Sequence, residues 1–218
     1  MNLTVLGDVL WIVAYILIIR LGFKERTYGV PLLAVCLNLA WEFTFTFIHM
    51  PKGPDGSLNV VKFCMFLGWL VLDVLIFWQL LKYGGKEQRT EELRRFFPVV
   101  VLLCLAGAFG WHLTFTRAFD DPHGFLSAFI INLVMSVLFV GLAFERPDSK
   151  GLSYGAAWLK LFGTGIISFA NVFMLLEDPG YDGFWFFLFI GIFVFDVTYV
   201  YLLHRRRGRP PATATAAA

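Results

Sequence analysis

Four ionisable side chains, Glu42, Asp73, Lys160 and Asp196, stand inside long apolar runs where a charge is costly. A charged group near the centre of a bilayer costs about 3 kcal/mol on insertion scales, so such a residue normally faces inward and marks a functional site. Two of the acids also sit among aromatic rings. Trp41, Phe43 and Phe45 flank Glu42, while Phe193, Phe195, Tyr199 and Tyr201 flank Asp196. Asn38 precedes Glu42 by four residues, which places both on one helix face and lets the amide support the carboxyl. This combination suits carbocation chemistry. A carboxyl stripped of water keeps its proton and can pass it to an apolar substrate, and the faces of aromatic rings stabilise the positive charge that results. A dry surrounding also protects the cation from water. The structural alternative is that the carboxyls pair with Lys160, Asn132 or Asn171 and only hold helices together, a reading that applies most to Asp73.

The elements that must position these residues follow from composition. The chain has 218 residues, 58% hydrophobic and only 16% charged, more apolar surface than a soluble domain of this size can hide. A bilayer core takes roughly 20 apolar residues to cross as a helix. Seven such stretches run over 3–21, 29–49, 59–82, 96–117, 125–144, 153–176 and 183–204, separated by short polar loops. The expected fold is therefore all-α, a seven-helix transmembrane bundle over 1–204, with a basic, disordered cytoplasmic tail over 205–218. Glu42 then stands about seven residues from the outer end of its span and Asp196 about eight from the inner end of its own, a depth difference of about 10 Å that leaves room for a ligand. Asp73 is expected near the depth of Asp196.

Of the 18 Lys and Arg, all but Lys52, Lys62, Arg117 and the internal Lys160 fall on one side of the membrane. The positive-inside bias places the C-terminus in the cytoplasm and the N-terminus outside, which agrees with an odd number of spans. The acidic outer loop Glu177, Asp178 and Asp182 fits that orientation. A net charge of +2 with no exposed basic domain argues against nucleic acid as a partner. The first stretch lacks a basic leader and a cleavage site and reads as a retained span. Cys36, Cys64 and Cys104 fall within spans without ligand spacing and read as small buried apolar residues. His49, His112, His123 and His204 sit mostly at span ends, where interfacial polar residues are common, and His112 is the one to watch. The sequon at Asn2 is weak evidence for glycosylation.

An internal repeat is also visible. Phe66-Leu-Gly-Trp-Leu-Val-Leu-Asp73-Val aligns without gaps on Phe189-Ile-Gly-Ile-Phe-Val-Phe-Asp196-Val, so the third and seventh spans match at Phe, Gly, Val, Asp and Val. This suggests two parallel three-helix units joined by the fourth span, a plan used by some transporters.

Asn38-Leu-Ala-Trp41-Glu42-Phe in the second span, taken with Phe195-Asp196-Val in the last, resembles the small integral-membrane terpene cyclases of fungal meroterpenoid pathways and their actinobacterial relatives in indole-sesquiterpenoid pathways. The likeness covers nearly the whole chain in length, span number and placement of the acids. It implies that Glu42 and Asp196 are the essential acids, and it assigns no role to Asp73. It implies a cyclase that protonates a terminal alkene or epoxide of a prenyl chain on an aromatic or indole head, after which rings close in a cascade. Glu42 is the expected donor, aided by Asn38; Asp196 is a cation stabiliser, relay partner or final base, and the roles are exchangeable. Trp41, Phe45, Trp69, Asp73, Trp111 and Tyr199 complete the expected supporting set. The Asp-rich motifs of soluble cyclases are absent, since Asp120-Asp121-Pro122 lies in an outer loop without a third acid at the needed spacing. No metal or cofactor is expected. The partners implied are a lipophilic prenylated substrate entering from the lipid bilayer, and the expected location is a bacterial plasma membrane.

The main alternative is a transporter of a small solute or proton with Asp73 and Asp196 as symmetric gates. Glu42, which has no acidic counterpart in the sixth span, favours the cyclase. A retinal photoreceptor would need a lysine inside the last span, where there is none. Substrate identity, ring pattern and oligomeric state are not encoded in any motif.

Overall fold

Apolar side chains on every face of a segment leave the backbone no lower-energy arrangement in lipid than a helix that satisfies its own hydrogen bonds. The computed structural model describes residues 3–175 and 182–207, and these form seven α-helices. They are α1 (Leu3–Glu25), α2 (Leu32–Phe43), α3 (Val60–Tyr83), α4 (Glu91–Ala118), α5 (Phe125–Glu145), α6 (Tyr154–Leu175) and α7 (Asp182–Arg206). A π turn, Thr44–Ile48, continues α2, and a short 3-10 turn, Gly84–Glu87, follows α3. Among the described residues, α1, α3, α4, α5 and α7 are long and apolar enough to cross a membrane. The chain is a polytopic membrane protein, and its outward face agrees. Val61 is 72% exposed, Leu103 66% and Phe187 60%, positions that lipid covers and water would penalise.

The helix ends are set by local chemistry. Asn59 accepts the backbone N–H of Lys62 at the start of α3, and Thr90 accepts that of Leu93 at the start of α4, where Glu91 and Glu92 follow. The loop before α3 is closed by a bridge between Lys52 and Leu58 and by the hydrogen bond from Asn59 N to Pro51 O. The span expected over 29–49 is thus a 12-residue α-helix that changes to π geometry at Thr44. Of the three cysteines expected to be buried, Cys36 is; Cys64 is exposed and Cys104 intermediate, because those positions turn away from their helices' packed faces. The helix of α7 continues through Arg206, into the stretch read as tail. Asn2, Glu177, Asp178 and the tail beyond 207 lie outside the described residues.

The helices fall into two compact units that cut across chain order. One contains α1, α5 from Ser136 onward, α6 and α7. Its closest helix pair is α1 with α6, and the reason is small residues. A Cβ added to Gly7 would lie 2.8 Å from the Gly163 carbonyl oxygen, and one added to Gly163 would lie 3.0 Å from the Trp11 ring, so the backbones meet where side chains are absent. Trp11 Nε1 donates to Thr164 Oγ1 at 3.1 Å across the same contact. Arg206 donates to the carbonyls of Ala143 (2.7 Å) and Arg146 (3.1 Å), tying the end of α7 to that of α5. The other unit spans Arg26–Met135 and holds α2, α3, α4 and the first part of α5. In it α2 packs against both α3 and α4, with Cys36, Ala40 and Ala108 giving the small contact surface.

Candidate active site

Each unit buries one aspartate of the sequence repeat, and each resolves its charge differently. In the Arg26–Met135 unit, Glu42 on α2 is 4% exposed and Asp73 on α3 is 2% exposed, so the packing of α2 on α3 buries two neighbouring acids. Glu42 Oε2 and Asp73 Oδ2 have no hydrogen-bond partner among the described residues. Buried acceptors of that kind are rare in folded proteins and call for an explanation, commonly a ligand or water that occupies the position.

Aromatic rings flank these acids along α2 and α3 and pack on one another. Trp41 precedes Glu42 and packs on Phe45 with ring centroids 4.8 Å apart and on Phe66 at 5.5 Å. Phe66 in turn lies 6.3 Å from Trp69, which shares a face of α3 with Asp73 and whose Nε1 has no partner among the described residues. Trp111 from α4 packs against the cluster of Trp41, Phe45 and Ile131, and lies tilted against Phe115 with ring centroids 4.7 Å apart. Asn38 is buried one turn before Glu42. Of the expected residues, this unit therefore contains Glu42, Asn38, Trp41, Phe45, Trp69, Asp73 and Trp111.

Trp41 is fixed by contacts the sequence reading did not anticipate. Its Nε1 donates to Gly124 O at 3.0 Å and to Ser127 Oγ at 3.1 Å. Asp121, read only as an outer-loop acid, caps α5 by accepting the backbone N–H groups of Leu126 (3.2 Å) and Ser127 (2.9 Å). The signal was an Asp a few residues ahead of an apolar helical run. Gly124 has φ +70°, and a Cβ there would lie 2.6 Å from the Phe45 ring. Gly124→Ala is therefore expected to destabilise the protein by at least about 1 kcal/mol, from the left-handed backbone alone, and to loosen Trp41 beside Glu42. A lower melting temperature in detergent together with altered tryptophan emission would show both effects.

His112 is fully buried, and its Nε2 donates to Leu37 O at 3.0 Å, so it braces α4 on α2 rather than sitting at a span end.

In the other unit Asp196 on α7 is 2% exposed and forms an ion pair with Lys160 of α6, at 2.6 Å and 2.8 Å to its two oxygens. Lys160 also donates to Ser136 Oγ at 2.6 Å and lies 5.4 Å from the Trp11 ring centre. The cation expected to pair with one of the acids is thus on Asp196 and not on Asp73. Tyr199, one turn beyond Asp196, is buried against Phe139 at 5.1 Å. Of the two repeat aspartates, Asp196 reaches the preceding helix and meets an ammonium there, whereas Asp73 is buried where α3 packs on α2.

A family model described as Pyr4-like transmembrane terpene cyclases matches residues 1–207. The chain belongs to this family. Similar relatives include the terpene cyclase macJ of Penicillium terrestre, 29% identical over 74% of this chain and 62% of that protein. The terpene cyclase esdpB of Penicillium shearii is 32% identical over 70% of this chain and 60% of its own length. The Pyr4-family terpene cyclase mfmH of Annulohypoxylon moriforme is 26% identical over 92% of this chain and 84% of its own. The chain thus spans less than two thirds of the length of macJ and esdpB. These relatives are fungal, so the expectation of a bacterial plasma membrane has no support among them. No solved structure matches the chain.

Proposed function

We propose that this member of the Pyr4-like family is a membrane-embedded terpene cyclase that starts its reaction by protonation, with a prenylated aromatic or indole compound carrying a farnesyl-type chain as substrate. The observation that carries this reading is the burial of Glu42 beside a second acid, Asp73, on helices that also carry Trp41, Phe66 and Trp69, with one Glu42 oxygen left without a partner among the described residues; a carboxyl so stripped of water favours its protonated form. The Glu42 O–H bond breaks as a C–H bond forms at a terminal alkene, or an O–H bond at an epoxide. The resulting cation is captured by successive double bonds, and a proton lost from the last cation leaves an isomer of the substrate. Trp41, Phe45, Phe66, Trp69 and Trp111 supply ring faces for the travelling charge, since a cation over an aromatic ring in a desolvated site gains about 2 kcal/mol. Initiation by a carboxyl proton calls for no metal ion.

Asp196 is the second acid of the proposal. Held on Lys160, it is an anion with both oxygens engaged, suited to face a cation or receive a proton and unsuited to donate one. The orientation proposed is N-terminus outside and C-terminus cytoplasmic, and the substrate enters sideways from lipid.

Membranes containing the chain, incubated with prenylated indoles and epoxidised prenyl-arenes without added metal, are expected to yield isomers of unchanged mass and altered chromatographic retention. Loss of the isomer with Glu42→Gln and with Asp196→Asn supports the assignment. No isomer from any substrate of the panel overturns it.

A further inference from the structure

The two members of the ion pair between α6 and α7 are satisfied unequally. Lys160, Asp196 and Ser136 are all buried. The ammonium has three N–H groups, and three oxygens lie within their reach: Asp196 Oδ1 at 2.6 Å, Asp196 Oδ2 at 2.8 Å and Ser136 Oγ at 2.6 Å. The Trp11 ring stands on another side of it, with its centre 5.4 Å from Nζ, and that ring is itself held by its bond to Thr164, one turn along α6 from Lys160. Residues from α1, α5 and α7 thus fix one ammonium, and its donors are used up. The carboxylate is different. It offers roughly four lone-pair directions, and among the described residues Lys160 alone donates to it. An ion pair that did no more than join helices would gain by filling both ends, since an unmet buried acceptor costs stability. The uncommitted lone pairs lie at the negative end alone, so the pair has one side that attracts a positive charge.

We propose that Lys160, anchored by Ser136, is a positioning residue that keeps Asp196 a fixed anion whose uncommitted lone pairs are available to a substrate carbocation. The inference rests on the reading of Asp196 as the second acid and adds the two residues that prepare it. With every N–H engaged, Lys160 acts through Asp196 and not on the substrate. Its grip on both oxygens sets the plane of the carboxylate, and a charge fixed in place before the reaction needs no reorganisation when the cation forms. Ser136 holds the far side of the ammonium. Without its hydroxyl one N–H would be buried unmet, and Nζ would be drawn away from its seat between the two oxygens. Facing a cation leaves the charges of the pair intact, whereas taking up a proton would leave the ammonium buried beside a neutral acid. The pair therefore favours the first of the two tasks that the proposed function leaves to Asp196.

The test compares wild type with Ser136→Ala, Lys160→Met, Lys160→Arg and Asp196→Asn, with kcat and KM for isomer formation expressed per folded molecule and melting temperature followed beside them. Ser136→Ala keeps both charges and loosens only their seat. It is expected to lower kcat by about tenfold with KM within about threefold, the pattern of an interaction that matters in the transition state. Lys160→Met should lower kcat at least as far as Asp196→Asn does. Lys160→Arg, which keeps the cation and can bind a carboxylate through two N–H groups, should retain more turnover than Lys160→Met. A role in helix packing alone would lower the melting temperature and the yield of folded protein and leave kcat per folded molecule unchanged. Wild-type kcat in Ser136→Ala, whatever its melting temperature, overturns the proposal. If Lys160→Met does not fold, Ser136→Ala decides it. An isomer lost in Asp196→Asn but made at the wild-type rate by Ser136→Ala sinks this inference alone. Full turnover in Asp196→Asn removes Asp196 from the chemistry and this inference with it, and no isomer from wild type sinks the cyclase reading itself.

Discussion

Glu42→Gln is expected to lower kcat by about 10³-fold or more while the chain still accumulates and folds, because a positioned general acid contributes roughly 10²–10⁴. The change replaces an O–H by an N–H₂ of similar size, so the packing of Trp41 on Phe45 and Phe66 keeps its shape. The amide also offers both a donor and an acceptor to Asp73, which keeps the contact between α2 and α3. What is lost is the ionisable group itself, at a position that is 4% exposed. The measurement is the rate of isomer formation at matched amounts of inserted protein, with KM followed separately. A kcat within about threefold of wild type would remove Glu42 from the chemistry.

Lys160→Met is expected to produce the largest loss of stability, about 3–5 kcal/mol, since it leaves the Asp196 carboxylate buried without its cation. It removes three hydrogen bonds at once, two to Asp196 and one to Ser136, in the region where α6 packs on α7. The double change Lys160→Met with Asp196→Leu should recover most of that loss, because an apolar pair of similar volume commonly replaces a buried ion pair without penalty. Cyclisation should not return with it. Thermal denaturation in detergent, read beside isomer formation, separates the two contributions. A single Lys160→Met protein melting at the wild-type temperature would show that the ion pair does not hold α6 and α7 together. Recovered cyclisation in the double variant would show that Asp196 serves stability and nothing else.

The number, order and approximate ends of the helices were legible in the sequence because a bilayer demands long apolar runs, and polar loops punctuate them. Lateral partnerships were not. Helices such as α1 and α7 are apolar on nearly all sides, so no polar stripe declares which face turns inward. The identities of Glu42 and Asp196 could be singled out as costly acids, yet whether Lys160 meets Asp73 or Asp196 depends on helix rotation and neighbour choice, which single-chain periodicity does not encode. Asp73 illustrates the same limit from the other side. Its register against Asp196 was visible in the repeat, whereas its contact with Glu42 arises from the packing of α2 on α3. The Trp41 anchor on Gly124 and Ser127 links residues 83 and 86 positions apart, a separation at which no local pattern speaks.

The π turn after Glu42 has a consequence for how this wall of the protein can vary. His49 N bonds to Thr44 O at 2.8 Å, five residues back, so this turn takes up one residue more than an α turn. It acts as a phase slip in the helix. The stripe that carries Asn38 and Glu42 ends at Phe43, and the side chains from Thr44 onward follow a rotation of their own. A change of length in the following loop can be absorbed by winding or unwinding this one turn, leaving the acid's bearing untouched. The segment from Thr44 to Asn59 is thereby free to reshape its end of the helix pair while Glu42 keeps its place on α2.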